Sequence, residues 1–304
     1  MNEHYYCLDV GGTGIKAAVL RPCGELASPL LQFDAKSDRS REEILENFRL
    51  IFRSLAECRP SAEVGGIVLA FPGDFDYPAG ICRMTGVGKY DALYDVNLRE
   101  EFGRMFGEDD KLSALAGRPI VFCNDVEAVA WGESVRPELD GCGRMLCVCI
   151  GTGCGSAFFV NGRPAPAGTP GVPANGWIYC LQYRGGQLDD YLSKRGLERI
   201  SWELLGRPLD GKPLARLAAA GDPLATECFS RFGAQLAEGL GPVLESFRPD
   251  CLVLGGQIMR SRERFCGPLE SLCAETGIRL LYCPDTSESA LRGLLAFRST
   301  GAAR

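Results

Sequence analysis

Histidine is almost missing from this chain: His4 is the one copy in 304 residues. The fifteen cysteines contain no C-x-x-C pair, and together these two absences exclude a Cys/His zinc site of the common spacing. Cys7, Cys123, Cys147, Cys149 and Cys251 fall inside apolar runs, where a free thiol behaves as a small hydrophobe. Core thiols are therefore expected rather than a disulfide framework. Basic residues are not in excess: 33 Lys and Arg against 39 Asp and Glu give a net charge of −6. That balance provides neither a nucleic-acid footprint nor a polybasic membrane patch. No apolar run reaches the ~18 residues of a membrane span, and the opening MNEHYYC lacks the charged start of a signal peptide. A cytoplasmic location is the expectation. No G-x-x-x-x-G-K-[ST] occurs, which excludes a P-loop nucleotidase.

What is present is ordinary in bulk and unusual in pattern. Apolar residues make up 46% and charged residues 24%, as in a globular protein large enough for two domains. Residues 6–20, YCLDVGGTGIKAAVL, form an apolar run with one acid, Asp9, a break at Gly11, Gly12, Thr13 and Gly14, and a second apolar run. This pattern predicts a β-hairpin, since glycine supplies the backbone freedom of a tight turn. Such a turn bares N–H groups that can cradle an anion. A single copy is also compatible with a plain turn. Residues 146–160, LCVCIGTGCGSAFFV, repeat the pattern. The second copy shifts the reading toward a phosphate clamp with Thr13 and Thr152 hydroxyls adding hydrogen bonds. A strand rather than a helix follows Gly151-Thr152-Gly153, which argues against a dinucleotide fold.

Between and after the hairpins, strands and helices alternate, as in a layered α/β fold. The spacing of Ile44, Phe48, Ile51, Phe52 and Leu55 predicts a helix over 41–58. Strands are expected at 66–70, 119–123, 251–254 and 278–283. A helix is expected over 223–247, with Leu224, Cys228, Phe232, Leu236, Leu240 and Leu244 on one stripe and Pro242 as a kink. The acidic pair in GGQLDDYLSKR, residues 185–195, is expected to start a helix, and Ser287 to cap a last one reaching Phe297. Residues 74–96 read as a long loop with solvated acids at Asp74, Asp76, Asp91 and Asp95. Lys89 in that loop is a candidate to meet an anionic group of a substrate. Asn124-Asp125 closes a buried strand, where open α/β sheets place ligands. One of the pair can cap the following helix, leaving the other acid for chemistry. Phosphoryl transfer needs clamped phosphates, a metal ion and a base to orient the acceptor hydroxyl, and Asp9 and Asp125 are the candidates for metal and base.

Taken in order, DVGGTGIK, the turn Phe71-Pro72-Gly73, NDVEAVAWGE, IGTGCGSAFFVNG and RPDCLVLGG resemble the ROK family of sugar kinases and regulators. The resemblance runs over nearly the whole chain. It implies a duplicated actin-like ATPase (ribonuclease H-like) α/β fold of two domains with nucleotide in the cleft between them. The domains would be residues 1–118, completed by the C-terminal helix at 287–304, and residues 119–286. It further implies ATP and Mg²⁺ as cofactors, with Asp9 positioning the metal through phosphate. Gly11, Gly12, Thr13, Lys16, Thr152 and Gly153 would bind phosphates, and Gly255 and Gly256 would approach the adenosine. Asp125 would be the catalytic base, while Gly73, Asn124, Asp125 and Asp189 would meet the substrate. With no helix-turn-helix pattern before Tyr6, a member outside the repressor branch is the expectation. A homodimer is the partner that the family's habit allows, beside a small sugar-like substrate.

The acceptor side departs from the family. Its E-x-G-H motif is replaced by Ala174-Asn175-Gly176-Trp177, so the Glu and the His that serve the sugar are absent. The cysteine-rich zinc loop is missing, so no structural zinc is expected, and Asp189 stands for that loop's closing Glu. The segment GVGKYDALYDVNL does not match the usual Asn-containing sugar loop. Trp177 either packs on the surface or stacks on a ligand face. The leading expectation is ATP-dependent phosphoryl transfer to a hydroxyl of a sugar or sugar-like acceptor. The alternatives are a catalytically weak nucleotide- or sugar-binding protein and an ATPase without acceptor.

Overall fold

The computed structural model describes residues 4–299. The first sheet is organised on β1, His4–Val10, a strand buried along nearly its whole length. Covering on both faces explains why it reads as a continuous apolar run with Asp9 as its one acid. β2, Gly14–Leu20, folds back antiparallel and pairs Asp9 with Lys16 across the ladder. β3, Leu31–Asp34, continues the meander. α1, Arg41–Cys58, begins at a capping box in which Ser40 and Glu43 satisfy each other's backbone donors. It buries the stripe Ile44, Phe48, Ile51, Phe52 and Leu55. β4, Val64–Phe71, then runs parallel to β1 on its other side.

Residues 74–96 are more structured than a solvated loop. β5, Phe75–Asp76, and β6, Ile81–Cys82, make a small hairpin. Phe75, Cys82, Met84, Tyr90, Leu93 and Val96 enter the first core. The acids tie down this excursion: Asp76 accepts from Ala79 N–H, Asp91 from Val87 and Gly88 N–H, and Asp95 pairs with Arg83. α2, Leu98–Glu108, is capped by Asn97 and brings Phe102 and Phe106 against Phe52, with centroids 5.2 and 5.1 Å from it. β7, Ile120–Asn124, pairs parallel with β4 and closes the sheet order β3-β2-β1-β4-β7. α3, Asp125–Ser134, follows at once.

The second sheet repeats this plan. β8, Arg144–Ile150, and β9, Cys154–Val160, are the second hairpin, extended by β10, Arg163–Pro164. β11, Gln182–Tyr183, and β12, Gly186–Gln187, form a short ribbon. The helix expected across residues 185–195 is divided: α4, Leu188–Tyr191, is one turn, and α5, Lys194–Leu205, starts anew after Ser193. α6, Gly211–Ala219, leads into α7, Pro223–Phe247, with Pro242 inside it. Five of its six predicted stripe residues are buried, whereas Leu224 in the first turn is exposed. β13, Cys251–Gly255, pairs parallel with β8. α8, Gly267–Thr276, precedes β14, Arg279–Tyr282, which completes the order β10-β9-β8-β13-β14. Each strand position of the first sheet has a counterpart here, so the fold is duplicated.

α9, Thr286–Ser299, begins one residue before the expected cap and returns the chain to the first core. Glycines allow that return. A Cβ at Gly132 on α3 would lie 1.9 Å from Ser289 O, and one at Gly293 on α9 would lie 1.8 Å from Ala128 O. The two helices thus pack at a distance that only glycine tolerates. Contacts divide the chain into Met1–Gly132 with Ser287–Arg304, and Glu133–Thr286. The division differs from the expected 118/119 boundary because β7 hydrogen-bonds to β4, which keeps it and α3 in the first unit. All fifteen cysteines are free thiols, and Cys7, Cys123, Cys147 and Cys251 are buried. No helix among the described residues is long and apolar enough to cross a membrane.

Candidate active site

In the first unit, β1, β4 and β7 are parallel and end together. Asp9 pairs with Ala70, which pairs in turn with Cys123. Asn124 and Asp125 therefore lie at the same carboxyl edge of the sheet as Asp9, two strand spacings or about 10 Å across. Asp9, Gly11, Gly12, Thr13, Lys16, Gly73, Asn124 and Asp125 all belong to this unit.

The first turn is closed by Gly11 N–H donating to Gly14 O at 3.0 Å. It is clamped from the far side of the sequence by residues that no sequence motif marks. Ser37 donates its hydroxyl to Gly12 O, and Tyr90 donates its hydroxyl to Gly11 O at 2.9 Å. Tyr90 adopts a left-handed backbone (φ +57°), and its N–H donates to Ser37 O at 2.6 Å. With the turn's carbonyls thus engaged, the backbone is held rigid, while Thr13 at the apex is exposed. Lys89, next to Tyr90, lays its side chain on Gly12: its Cδ is 2.9 Å from where a Cβ on Gly12 would stand. Burial pushes the Tyr90 phenol up, and the Asp9 carboxylate adds to this.

Asn124 and Asp125 divide their labour. Asn124 Oδ1 accepts from Val126 N–H and Glu127 N–H at 3.0 and 3.1 Å, capping α3. Its amide donates to the Tyr77 hydroxyl at 3.0 Å, leaving one N–H of the amide for another partner. Tyr77 is hydrogen-bonded in turn to Phe71 O and Gly73 O, both at 3.1 Å, tying the Phe71-Pro72-Gly73 turn to the end of β7. Gly73 has φ +74°, and a Cβ there would meet Met84 Sδ at 2.4 Å, so both conformation and space require glycine. Asp125 Oδ1 accepts from Val126 N–H at 2.9 Å. Burial pushes the Asp125 carboxyl above the ordinary range, and the positive charge of Lys89 opposes that rise. The result is a carboxylate of raised basicity at a strand end.

In the second unit, the turn at residues 151–153 is closed by Gly151 N–H to Gly153 O at 2.9 Å, with Thr152 exposed at its apex. The Gly255-Gly256 turn is its neighbour. Gly256 has φ +100°, and a Cβ on it would lie 2.2 Å from Ile150 O. Lys194 N–H, at the start of α5, donates to Gly151 O at 2.9 Å. Asp189, expected from the resemblance to reach a substrate hydroxyl, faces this turn. Its Oδ1 accepts from Cys154 N–H at 2.6 Å, and its Oδ2 pairs with Arg195. The carboxylate is thus occupied in holding the second turn. Trp177 is half-buried; its N–H donates to Asn175 Oδ1 at 3.0 Å, and the next residue, Ile178, donates to Ser156 on β9. Ala174 is exposed and brings no polar side chain. Among the described residues no group of three or more His, Cys, Asp or Glu side chains is arranged to hold a metal ion.

The first unit carries a glycine turn, an acid at the end of β1 and a carboxylate of raised basicity at the end of β7, and the second unit repeats the glycine turn on an equivalent hairpin of the duplicated actin-like ATPase fold. The ROK family model matches residues 5–276, and the chain belongs to that family. A β-glucoside kinase of Listeria innocua is 27% identical over 296 residues, covering 94% of this chain and 93% of that protein. An N-acetyl-D-glucosamine kinase of Haemophilus influenzae is 27% identical over 271 residues, 83% of each. Among solved structures, the ROK hexokinase from Thermus thermophilus superposes with a TM-score of 0.75 at 23% identity, covering 98% of this chain and 99% of that one.

Proposed function

We propose that this protein transfers the γ-phosphoryl group of ATP to a hydroxyl of a sugar or sugar-like acceptor, with Asp125 as the base. The observation that carries this reading is the position and state of Asp125. It closes β7 in the same unit as the first phosphate turn, and burial keeps its carboxyl basic. A carboxylate of that kind accepts the acceptor's proton as the new O–P bond forms, so it need not deprotonate a free alcohol. Asn124, fixed by the α3 backbone and by Tyr77, offers its remaining amide N–H to a neighbouring hydroxyl. Turn N–H groups at residues 11–14 and 151–153 bind phosphate oxygens, joined by the exposed hydroxyls of Thr13 and Thr152 and by Lys16. Gly255 and Gly256 supply a surface without side chains for the nucleoside. Asp9 would hold Mg²⁺, which would offset the charge of the phosphates.

Support for a sugar acceptor comes from the relatives, which are named as β-glucoside and N-acetyl-D-glucosamine kinases. They do not favour a protein that only binds. The missing Glu and His at Ala174 and Trp177 make the acceptor a different one from the family's usual hexose, because a site lacking those partners loses discrimination for the hydroxyls they hold. Release of ADP measured against a panel of β-glucosides, N-acetylhexosamines, hexoses and polyols tests this. The expected result is turnover on at least one acceptor that Asp125→Asn abolishes. Turnover that survives this substitution would remove Asp125 from its role, and ATP consumption independent of any acceptor would favour an ATPase.

A further inference from the structure

Lys89 lies outside every phosphate motif, yet the fold places it on one. Its stem crosses Gly12, with Cδ 2.9 Å from where a Cβ on Gly12 would stand. The following residue, Tyr90, fixes this position through two hydrogen bonds, to Gly11 O and from its own N–H to Ser37 O. Tyr90 is fully buried and left-handed, so the backbone that carries Lys89 is held beside the turn by the fold. Among the described residues Lys89 makes no ion pair or hydrogen bond; its charge is felt by Asp125. A half-buried cation laid over a glycine turn is the arrangement that suits a phosphate oxygen.

We propose that Lys89 is a catalytic residue that contacts the transferring phosphoryl group, its ammonium bridging the glycine turn at residues 11–14 and the acceptor hydroxyl at Asp125. This deepens the function proposed above and rests on it. As the γ-phosphoryl group leaves ADP, charge spreads over its equatorial oxygens, and a cation already positioned there stabilises that state without rearranging. The same charge favours the ionised form of Asp125 against the burial that disfavours it, so one side chain serves both ends of the forming bond. Lysine fits this role as a point charge on a flexible stem.

The test separates this role from the function on which it rests. Calorimetry with ADP and with the β,γ-imido analogue of ATP needs no acceptor. Lys89→Met keeps the stem that covers Gly12 and removes only the charge. It should weaken the imido analogue on the order of tenfold and leave ADP unchanged. In the phosphorylation assay it should lower kcat on the order of 100-fold, and Lys89→Arg should restore most of that loss. Equal weakening of both nucleotides, or of neither, would overturn the proposal, as would a raised acceptor KM at unchanged kcat, which would place the cation on the acceptor. An unchanged melting temperature for Lys89→Met shows that the variant is folded. If the wild-type chain turns over no acceptor while the imido analogue still loses affinity in Lys89→Met, the kinase reading fails and the phosphate contact stands.

Discussion

The turn at residues 11–14 and the turn at residues 151–153 occupy equivalent places in equivalent sheets, but they are held by opposite chemistry. The first is gripped by neutral hydroxyls, from Ser37 and Tyr90, and carries the cation of Lys89. The second is gripped by a carboxylate, Asp189, whose charge Arg195 balances, and by the Lys194 N–H that opens α5. Duplication therefore supplied the scaffold twice, while the residues that tune each turn come from the excursions between strands, which have no reason to match. The first excursion, residues 74–96, leaves a positive charge beside Asp125. The second, residues 161–187 with α4, leaves a neutralised acid beside Gly153. A turn with a free cation suits a group whose charge changes during reaction, and a neutralised turn suits a group that is only held.

The largest effect on this contrast is expected at Asp125, where function and stability should move in opposite directions. Asp125→Asn should lower kcat about 10³-fold in the ADP-release assay. It should also raise the melting temperature near neutral pH. The sign follows from the raised pKa of Asp125: between the ordinary carboxylate range and its raised folded value, the folded state binds more protons than the unfolded state. The contribution of Asp125 to stability is thus greatest below the ordinary range and is lost as pH rises through the folded value. The advantage of the variant should grow across that window and vanish in acid, as melting at a series of pH values will show. Over the same window wild-type kcat/KM should rise with pH.

Gly256→Ala comes next and distinguishes the turns by stability. At φ +100°, with a Cβ only 2.2 Å from Ile150 O, alanine meets both strain and a backbone clash. It should cost about 3 kcal/mol in urea unfolding. At Gly12 the obstacle is Lys89 Cδ at 2.9 Å, part of a side chain that can move. Gly12→Ala should therefore cost less stability and act on kcat by displacing that side chain. Equal losses of stability at the two glycines would erase the contrast between a rigid and a yielding neighbour. Smaller again is Asp189→Ala, which leaves Cys154 N–H without its acceptor, at about 1–3 kcal/mol. The lost pair with the exposed Arg195 adds little to that. Nucleotide affinity should fall while the acceptor KM holds; a raised acceptor KM would return Asp189 to the substrate.

The parts of the site that could be read from the sequence are those where a local pattern has one physical meaning. Apolar run, glycines, apolar run dictated both hairpins, and the period of Phe48, Phe52 and Leu55 dictated α1. The capping half of Asn124-Asp125 was legible, because a polar residue at a strand end that opens a helix has that duty to hand; that Asp125 also accepts from Val126 N–H was not. The contacts of Ser37, Tyr77 and Tyr90 were not legible. Each bridges elements 25 or more residues apart, and a tyrosine in a loop looks the same whether its hydroxyl meets water or a glycine carbonyl. The same holds for the loop acids: Asp76 and Asp91 resemble solvated residues until the backbone folds back onto them. That the Asp189 carboxylate meets Cys154 N–H, 35 residues away, was not legible either.

The smallest effect is expected at Tyr77, which touches the chemistry only through Asn124. Tyr77→Phe keeps the ring packed against Phe75, 5.2 Å between centroids, and removes one hydroxyl. The Asn124 amide then loses a hydrogen bond, and the Gly73 carbonyl loses its link to β7. A loss of about 1 kcal/mol is expected, divided between stability and kcat/KM. The cap of α3 does not depend on Tyr77, since Asn124 Oδ1 is fixed by Val126 and Glu127 N–H, so the amide can rotate only slightly. A rise in acceptor KM with kcat nearly unchanged would show Asn124 holding a substrate hydroxyl that Asp125 does not deprotonate. A fall in kcat approaching that of Asp125→Asn would instead make the tyrosine hydroxyl part of the proton path, and the division of labour between Asn124 and Asp125 would have to be redrawn.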